Sequence, residues 1–326
     1  MPIRPFPPRD RLTIAFAHAA YRLGDRFAAR DTGIRSFEVR SLDELQSRVG
    51  EADVLVVSGL WRNELLERAP RLAFVQSISA GTDQYSRDAF VAAGVRLASA
   101  QGANERAVAE HAIALILAVA RKIAEACDNQ RRHAWRGMIG EIARREREIG
   151  GKTLVVVGLG RIGTRLAALA RAFGMHVIGV KRDLARGSDA VDELVPQTAL
   201  LDALPRADFV ALTCPLTPST ERLIEARALA AMKPTAVLVN VARGKVVDEA
   251  ALIDALTRRQ IGGAALDCVE REPLPPESPL WDMDNVLITP HSAGETQDYE
   301  DNVLDCLLEN LERLGRGEAR LRNEIV

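Results

Sequence analysis

The sequence predicts an α/β protein made of two doubly wound parallel-sheet domains. Short β-rich runs alternate with helix-like stretches along all 326 residues, which is the pattern of parallel strands connected by covering helices. The length suits two domains, because one domain typically has roughly 150 residues. The composition shifts sharply at GGKTLVVVGLGRIG (150–163), where a second α/β series begins.

The first α/β series lies before residue 102 and is long enough to form a small domain. Amphipathic segments such as NELLERA (63–69) separate its predicted strands and indicate helices. The runs that predict strands are LTIAFAH (12–18), SFEVR (36–40), ADVLVVSG (52–59) and LAFVQSIS (72–79).

A long helix is predicted between the two series, from Glu105 to about Ala126, followed by a looser, strongly charged stretch (128–148). The second series then supplies six further strands: TLVVVG (153–158), MHVIGV (175–180), ADFVALT (207–213), AVLVNVA (236–242), GAALDC (263–268) and NVLITP (285–290). The segment 295–321 is predicted to be helical and to fold back onto the first domain, which makes that domain discontinuous.

The composition narrows the classes of partner. The formal net charge is −2 and basic residues are spread along the chain, so neither nucleic acid nor a membrane surface is expected as a partner. The four cysteines form no C-x-x-C pair, which predicts reduced thiols in a cytoplasmic protein and no metal site. The first residues, MPIRPFPPRDR, lack the apolar region of a signal peptide.

The strongest local motif is GLGRIG (158–163), which closes a buried strand and opens an apolar helix. This strand–turn–helix context separates a dinucleotide-binding turn from an ordinary glycine-rich turn. Gly158 makes the tight turn, Gly160 lets the backbone approach a pyrophosphate, and Gly163 lets helix and strand pack closely. The helix N-terminus offers unpaired N–H groups to the phosphates. The motif therefore predicts a bound dinucleotide.

The next predicted strand ends at Lys181 and Arg182, with Asp183 just beyond. A carboxylate at this position accepts hydrogen bonds from the ribose hydroxyls of NAD, whereas a basic pair suits the 2′-phosphate of NADP. We therefore predict NADP as the preferred cofactor and keep NAD as the alternative. If it binds no phosphate, the basic pair is a solvated charge cluster at a strand end. If the strand instead ends one or two residues later, the carboxylate of Asp183 faces the ribose and NAD is favoured.

Four polar side chains lie at or just past the carboxyl ends of predicted strands of the second domain: Arg243, Asp267, Glu272 and His291. Open α/β sheets bind ligands at these ends, so we expect the four side chains to converge on the nicotinamide. The residues by themselves leave two points open. Arg243 is alternatively a structural loop cation, and Glu270 is as good a candidate as Glu272.

Taken together, these segments resemble the D-isomer-specific 2-hydroxyacid dehydrogenases, in particular the glyoxylate/hydroxypyruvate reductase-like ones. The similarity covers nearly the whole chain and is densest over about residues 75–294. The matching segments are SAGTDQYS (79–86), AVAEHAIALILAVAR (107–121), VVGLGRIG (156–163), TCPLTPST (213–220), NVARGKVVDEAAL (240–252), AALDCVEREPLP (264–275), PLW (279–281) and TPHSAG (289–294).

The resemblance implies a domain arrangement and an activity. It implies a Rossmann dinucleotide domain (103–295) inserted into a flavodoxin-like substrate domain (1–102 plus 296–326). It further implies a homodimer that moves a hydride between NADP or NAD and a small 2-oxo or 2-hydroxy acid of the D-isomer.

A role is also implied for each matching residue. Arg243 binds the substrate carboxylate and the reacting carbonyl oxygen, since its planar fork suits anions. His291 protonates that oxygen, and Glu272 pairs with His291 and raises its pKa. The backbone N–H groups of Ala80 and Gly81 take the substrate carboxylate. The implied cofactor contacts are Gly158, Gly160, Arg161, Ile162, Gly163, Lys181, Arg182, Cys214, Pro215, Thr220, Ala242 and, at the nicotinamide carboxamide, Asp267.

Other polar and aromatic residues are assigned blander roles. His111, within the long helix, is predicted to be a satisfied core or subunit-contact residue, and Asp248 is predicted to be a helix N-cap. His18 is a weaker candidate for the edge of the substrate site, while Leu60 and Trp61 either limit substrate size or pack internally. Asn104 and Arg121 are expected to be structural, with a position near the substrate as the alternative for Asn104. His133 and His176 are expected at the surface or at a strand end, and Trp135 and Trp281 are expected to be packing or subunit-contact aromatics.

Two kinds of alternative function stay open. Some co-repressors share this fold, bind dinucleotide and keep the catalytic residues, so a dinucleotide-sensing binding protein is the alternative from another class. Among enzymes, formate dehydrogenases pair the histidine with glutamine, whereas this chain has Glu272. Phosphite dehydrogenases carry a lysine where this chain has Ala80, so both enzymes rank behind a 2-oxo acid reductase.

Overall fold

The computed structural model of the protein describes residues 3–326, apart from the side chain of Arg186. Met1 and Pro2, which the predicted substrate domain includes, lie outside the described residues. The chain splits into two compact units, one running up to Asn104 and resuming at Glu295–Val326, the other comprising Glu105–Gly294. The divisions predicted from the sequence are at 102/103 and 295/296.

The first unit contains a parallel five-stranded sheet in the order β2-β1-β3-β4-β5. Its strands are β1 (Thr13–Ala17), β2 (Arg35–Val39), β3 (Val54–Val57), β4 (Phe74–Ser77) and β5 (Arg96–Ala98). Its first four helices are α1 (Leu23–Ala28), α2 (Leu42–Arg48), α3 (Leu65–Arg68) and α4 (Arg87–Ala93). Every residue of β3 and β4 is buried, as in a sheet that is covered on both faces. The strand order is that of the flavodoxin-like doubly wound fold.

The long helix predicted from Glu105 to about Ala126 is interrupted. It consists of α5 (Glu105–Ala120) and α6 (Ile123–Arg131), separated by Lys122 in the left-handed region at φ 51°. The N–H of Arg147 donates to the carbonyl of Ala120 at 2.8 Å. A continuous helix would use that carbonyl for its own next turn, so the returning chain ends α5 there.

The second unit contains a parallel seven-stranded sheet in the order β12-β11-β10-β9-β6-β7-β8. Its strands are β6 (Thr153–Val157), β7 (His176–Lys181), β8 (Glu193–Pro196), β9 (Phe209–Leu212), β10 (Val237–Asn240), β11 (Gly263–Leu266) and β12 (Val286–Ile288). Its further helices are α7 (Arg161–Ala172), α8 (Leu200–Ala203), α9 (Ala226–Ala231) and α10 (Glu249–Thr257). The order reverses between β6 and β9, which is the Rossmann switch point where ligands bind outside the carboxyl ends of the strands.

The last helix, α11 (Tyr299–Gly315), belongs to the first unit. Arg30, just past α1, pairs with Asp301 and Asp305 on α11. The Tyr299 hydroxyl donates to the carbonyl of Ile78 at 2.5 Å. The helix is shorter than the predicted segment 295–321 at both ends. Beyond it the chain reaches β5, where the N–H of Leu97 donates to the carbonyl of Val326 and the N–H of Ile325 donates to the carbonyl of Leu97. No helix within residues 3–326 is long and apolar enough to cross a membrane.

Candidate active site

The GLGRIG turn joins β6 to α7 and is packed too tightly for side chains at two of its glycines. Gly158 has φ 99°, and a Cβ there would lie 2.6 Å from the Cα of Cys214. A Cβ on Gly163 would lie 2.1 Å from the carbonyl oxygen of Gly158. Gly160 is different, because a Cβ there meets nothing within 4 Å. The absence of a side chain at Gly160 leaves open space beside the turn.

The N-terminus of α7 faces this space. Gly160 is its N-cap and supplies no side-chain hydrogen bond, so the first N–H groups of the helix are available to an anion. Nη1 of Arg161 lies 3.9 Å from Oε2 of Glu105, and Ile162 packs against the hydrophobic core of this unit. An uncapped helix end behind an open glycine fits the pyrophosphate of a dinucleotide.

Lys181 is the last residue of β7, as the sequence predicts, and its side chain is half-buried. Arg182 is exposed. Asp183 caps the following short turn, because its Oδ1 accepts a hydrogen bond from the N–H of Ala185 at 3.0 Å. The strand therefore ends at the basic pair, and the carboxylate is engaged by its own backbone.

The segment after β9 lies directly behind the glycine turn. Cys214 is buried against Gly158. The hydroxyl of Thr220 donates to the carbonyl of Pro215 at 2.7 Å and accepts from the N–H of Thr217 at 2.8 Å. Thr220 therefore fixes the shape of this loop.

Arg243 follows β10 and is half-buried. One of its Nη atoms donates to the carbonyl of Ala242 at 2.8 Å. Asn240, the last residue of β10, holds the loop from both sides: its Nδ2 donates to the carbonyl of Arg243 and its Oδ1 accepts from the N–H of Ala242, each at 3.0 Å. Asn240 is not among the residues predicted from the sequence, although its place in N-x-A-R-G is the available signal.

Glu272 and His291 form the central contact of the site. Glu272 Oε2 lies 2.7 Å from Nδ1 of His291, and Glu272 Oε1 accepts from the N–H of Val269 at 3.2 Å. The backbone N–H of the neighbouring Glu270 instead donates to Glu249. Of the two glutamates that the residues leave open, the structure pairs Glu272 with the imidazole.

The thiol of Cys268 completes this cluster. Its sulfur, a carboxylate oxygen of Glu272 and a ring nitrogen of His291 all lie within 4.8 Å of one another. Contact with the Cys268 thiol and the hydrogen bond to Glu272 raise the pKa of His291 to about 10, against the effect of burial. Burial favours a higher pKa for Glu272, but its hydrogen bond to His291 and the imidazolium charge outweigh it, so the pKa is lowered. The pair is an imidazolium–carboxylate ion pair near neutrality.

Asp267 is buried at the end of β11, with 3% of its surface exposed. Its carboxylate accepts from the Thr289 hydroxyl at 2.7 Å and from the N–H groups of Ser292 and Ala293 at 2.9 and 3.1 Å. These donors lie on both sides of His291, so Asp267 organises the loop that carries the imidazole. Neither this bracing nor the neighbouring thiol of Cys268 is visible in the spacing of the sequence.

The comparisons with known proteins agree with this geometry. The family model "D-isomer specific 2-hydroxyacid dehydrogenase, NAD binding domain" matches residues 113–293, more than half of the chain. The glyoxylate reductase of Pyrococcus furiosus is 37% identical over 284 residues, covering 85% of this chain and 83% of that protein. The chain belongs to the D-isomer specific 2-hydroxyacid dehydrogenase family.

Other members of the family differ in length from this one. The D-3-phosphoglycerate dehydrogenase of Mycobacterium tuberculosis (strain ATCC 25618 / H37Rv) is 39% identical over 280 residues, which is 85% of this chain but 52% of that protein. This chain thus spans about half the length of the phosphoglycerate dehydrogenases that it matches.

Solved structures of similar proteins cover nearly the whole chain. The TT0316 protein of Thermus thermophilus has a TM-score of 0.82 at 32% identity, covering 97% of this chain and 100% of that one. The NADPH-dependent glyoxylate/hydroxypyruvate reductase of Sinorhizobium meliloti, in complex with NADP and malonate, has a TM-score of 0.81 at 26% identity, covering 97% of each chain. The predicted fold class is confirmed.

In the first unit of this family member, the loop after β4 holds Ala80 and Gly81, both half-buried. The loop begins at Ser79, whose N–H donates to Ser77 Oγ at 3.1 Å and whose hydroxyl lies 2.6 Å from that of Ser58. Ser58 therefore helps to fix the start of this loop.

Several residues with open or structural assignments are now located. Trp61 is 3% exposed and packs against Tyr85 and Phe90, so internal packing is the correct alternative. His18 Nδ1 accepts from the N–H of Tyr21 at 2.8 Å, and burial, followed by the charge of Arg40, lowers its pKa. The N-cap role of Asp248 is confirmed by its 3.1 Å bond from the N–H of Ala251.

Proposed function

We propose that this protein is a nicotinamide-dependent oxidoreductase that reduces small 2-oxo acids to D-2-hydroxy acids and catalyses the reverse oxidation. The observation that carries the proposal is the 2.7 Å contact between Glu272 Oε2 and His291 Nδ1. An imidazole held protonated at the carboxyl end of a Rossmann sheet is a proton donor where the fold binds its cofactor.

Substrate binding falls to groups that recognise carboxylates. The guanidinium of Arg243 offers parallel N–H donors that match a carboxylate and an adjacent carbonyl oxygen. We assign the backbone N–H groups of Ala80 and Gly81 to the same carboxylate. Asn240 holds the loop that carries Arg243 through two hydrogen bonds, so the backbone that bears the guanidinium is fixed in place.

Proton transfer is assigned to His291, with Glu272 as its partner. A bound nicotinamide supplies the hydride. In reduction, the imidazolium of His291 gives its proton to the carbonyl oxygen of the substrate, and in oxidation the neutral ring takes the proton from the hydroxyl. Glu272 stabilises the charged ring and fixes its orientation through Nδ1, which leaves Nε2 for the substrate.

The cofactor is assigned to the glycine turn, and NADP is the preferred form. Support comes from the space beside Gly160 and from the end of β7, where Lys181 and Arg182 offer positive charge to a 2′-phosphate. The capping bond of Asp183 favours the same choice. The remaining assigned contacts are Gly158, Arg161, Ile162, Gly163, Cys214, Pro215, Thr220, Ala242 and, at the nicotinamide, Asp267.

Glyoxylate and hydroxypyruvate are the proposed substrates. This chain covers 83% of the Pyrococcus furiosus glyoxylate reductase. Most of that protein therefore has a counterpart here, which supports the same activity. A second candidate is 3-phosphohydroxypyruvate, because the D-3-phosphoglycerate dehydrogenases are 39% identical to this chain although it covers only 52% of their length.

A substrate panel tests the proposal. Glyoxylate, hydroxypyruvate, pyruvate, phenylpyruvate and 3-phosphohydroxypyruvate are each supplied with NADPH and with NADH, and the product's chirality is determined. We expect turnover with glyoxylate and hydroxypyruvate, and a D-product wherever a stereocentre forms. Dinucleotide binding without turnover of any of the five would overturn the proposal and favour a dinucleotide-sensing, co-repressor-like protein.

We further propose that the protein is a homodimer joined through the segment after α6. Three large apolar side chains project from it, and Trp135 and Met138 have exposures of 99% and 103%, with Ile142 at 78%. Grouped exposed apolar residues mark interaction surfaces, whereas scattered ones are normal. Sedimentation of the wild type as a dimer, and of the double variant Trp135→Glu, Met138→Glu as a monomer, is expected. A monomeric wild type would contradict the proposal.

A further inference from the structure

The turn that carries His291 has a backbone conformation that ordinary side chains avoid. His291 has φ 53°, in the left-handed region, and its N–H donates back to the carbonyl of Thr289 at 3.0 Å. A residue other than glycine stays in this region only where its surroundings fix it. The groups that fix this turn therefore decide where the imidazole lies.

Asp267 supplies the fixing bonds. Its Oδ1 accepts from the Thr289 hydroxyl before His291 and from the N–H of Ser292 after it, at 2.7 and 2.9 Å. Its Oδ2 accepts from the N–H of Ala293 at 3.1 Å. The carboxylate serves both ends of the turn only in one orientation, because each oxygen must point at its own donors.

Thr289 and His111 determine that orientation. A carboxylate only accepts hydrogen bonds, so the single proton of the Thr289 hydroxyl points at Asp267. The Nε2 of His111 on α5 lies 3.0 Å from the same hydroxyl oxygen and 3.5 Å from Asp267 Oδ1. That oxygen is then an acceptor, and Nε2 of His111 is the donor. The bonds run in one direction, from His111 to Thr289 to Asp267, and each strengthens the next.

We propose that His111 and Thr289 are positioning residues, which orient Asp267 so that the turn presents His291 to Glu272. The proposal rests on the proposed function of His291 as the proton donor. The side-chain hydrogen bonds of both residues lead to Asp267 and not to the imidazole of His291. Their effect on the rate comes through its placement, and a shift of about 1 Å in a reacting group is enough to slow a reaction by about a hundredfold.

Variants that keep or remove single hydrogen bonds test the proposal. Thr289→Val keeps the side-chain shape but loses the hydroxyl, and Thr289→Ser keeps the hydroxyl. We expect Thr289→Val to lower kcat by about tenfold to a hundredfold, with the KM for the 2-oxo acid nearly unchanged, and Thr289→Ser to restore most of it. His111→Phe should lower kcat in the same direction, and His111→Gln, which keeps an N–H donor, should lower it less.

Thr257→Val is the matched control, because the Thr257 hydroxyl donates to the carbonyl of Ile253 on the exposed face of α10. Its kcat should equal that of the wild type. His111→Phe also gives a reading independent of the threonine if Thr289→Val does not fold. Wild-type kcat in both Thr289→Val and His111→Phe, or equal losses in Thr289→Val and Thr289→Ser, would overturn the proposal.

A readout without turnover separates this proposal from the proposed function. Nuclear magnetic resonance of ¹⁵N-labelled histidine rings gives the pKa of His291 directly. The groups that act on this ring are Cys268 and Glu272, with Arg243 acting on Glu272. If the turn relaxes in Thr289→Val, His291 leaves Glu272 and its pKa falls toward 6.5. An unchanged pKa of His291 in Thr289→Val contradicts the positioning role even if no substrate is ever turned over.

Discussion

Glu272 Oε2 lies 2.7 Å from Nδ1 of His291, and this contact joins the loops that follow two neighbouring strands. Glu272 lies beyond β11 and His291 beyond β12, and the two strands pair in parallel with Leu266 opposite Ile288. Because parallel neighbours end at the same edge of a sheet, residues far apart in sequence meet there. The pairing of Glu272 with His291 is thus a direct product of the Rossmann topology.

Removing the carboxylate should move the pH profile of reduction to lower pH. The pKa of His291 is raised to about 10, above the ordinary 6.5, so the imidazolium donor is present below that pKa and is lost as the pH rises through it. Glu272→Gln removes one of the two contacts that raise the pKa. The falling limb of kcat/KM against pH should therefore shift toward neutrality.

Glu270→Gln is the matched control for this measurement. Glu270 is a carboxylate two residues before Glu272 in the sequence. The carboxylate that contacts His291 is that of Glu272. In the Glu270 variant, kcat/KM should fall at the same pH as in the wild type. A limb that stays in place in Glu272→Gln, or moves equally in both variants, would mean that Glu272 does not set the pKa of the proton donor.

The glycine turn makes two different predictions for two alanine substitutions. In Gly163→Ala the new Cβ would lie 2.1 Å from the carbonyl oxygen of Gly158, so stability should fall by about 1–3 kcal/mol, as for other overpacked sites. In Gly160→Ala the Cβ meets nothing of the protein within 4 Å. That variant should keep its Tm and lose dinucleotide affinity, because the pyrophosphate approaches there.

Thermal unfolding and titration of NADPH fluorescence measure the two effects separately. A Gly160→Ala protein that binds NADPH like the wild type would show that the space beside this glycine is not the pyrophosphate site. Gly163→Ala with an unchanged Tm would show that the helix and strand of the turn are free to move apart.

Cofactor preference tests the end of β7. Lys181 is half-buried there, and a charge-assisted bond to a 2′-phosphate is worth on the order of 1.5–3 kcal/mol, reduced toward the lower value by screening. The ratio of kcat/KM for NADPH to that for NADH should thus be about ten or more. Lys181→Asp should reverse it, while Lys152→Asp, at the other end of the neighbouring strand, should not. An NADH-preferring wild type would contradict this assignment.

The features that the sequence predicts well are those encoded within short segments. GLGRIG carries its own strand, turn and helix. Arg243 follows the buried apolar run of β10 and His291 follows the partly buried apolar run of β12, so their placement needs only the rule that parallel strands end at one edge. The interior strands are predictable for the same reason, because runs such as that of β10 are buried throughout.

The features that it misses depend on contacts between distant segments. The break at Lys122 arises because Arg147 takes the carbonyl of Ala120, and neither glycine nor proline marks it. β5 has only three residues, and every residue of the edge strand β8 is only partly buried, so neither gives an apolar run. The sequence predicts a structural role for His111, and only the fold brings it to Thr289.

The role of His291 as the proton donor is tested most directly by the kcat for reduction of hydroxypyruvate by His291→Ala, measured beside wild type and His176→Ala. His176 is the exposed first residue of β7, so its variant controls for the loss of an imidazole. We expect His291→Ala to turn over about a hundredfold to ten-thousandfold more slowly than wild type, with unchanged NADPH affinity, while His176→Ala behaves as wild type. Wild-type turnover in His291→Ala would contradict the assignment of His291 as the proton donor, because no other residue is assigned to supply the proton.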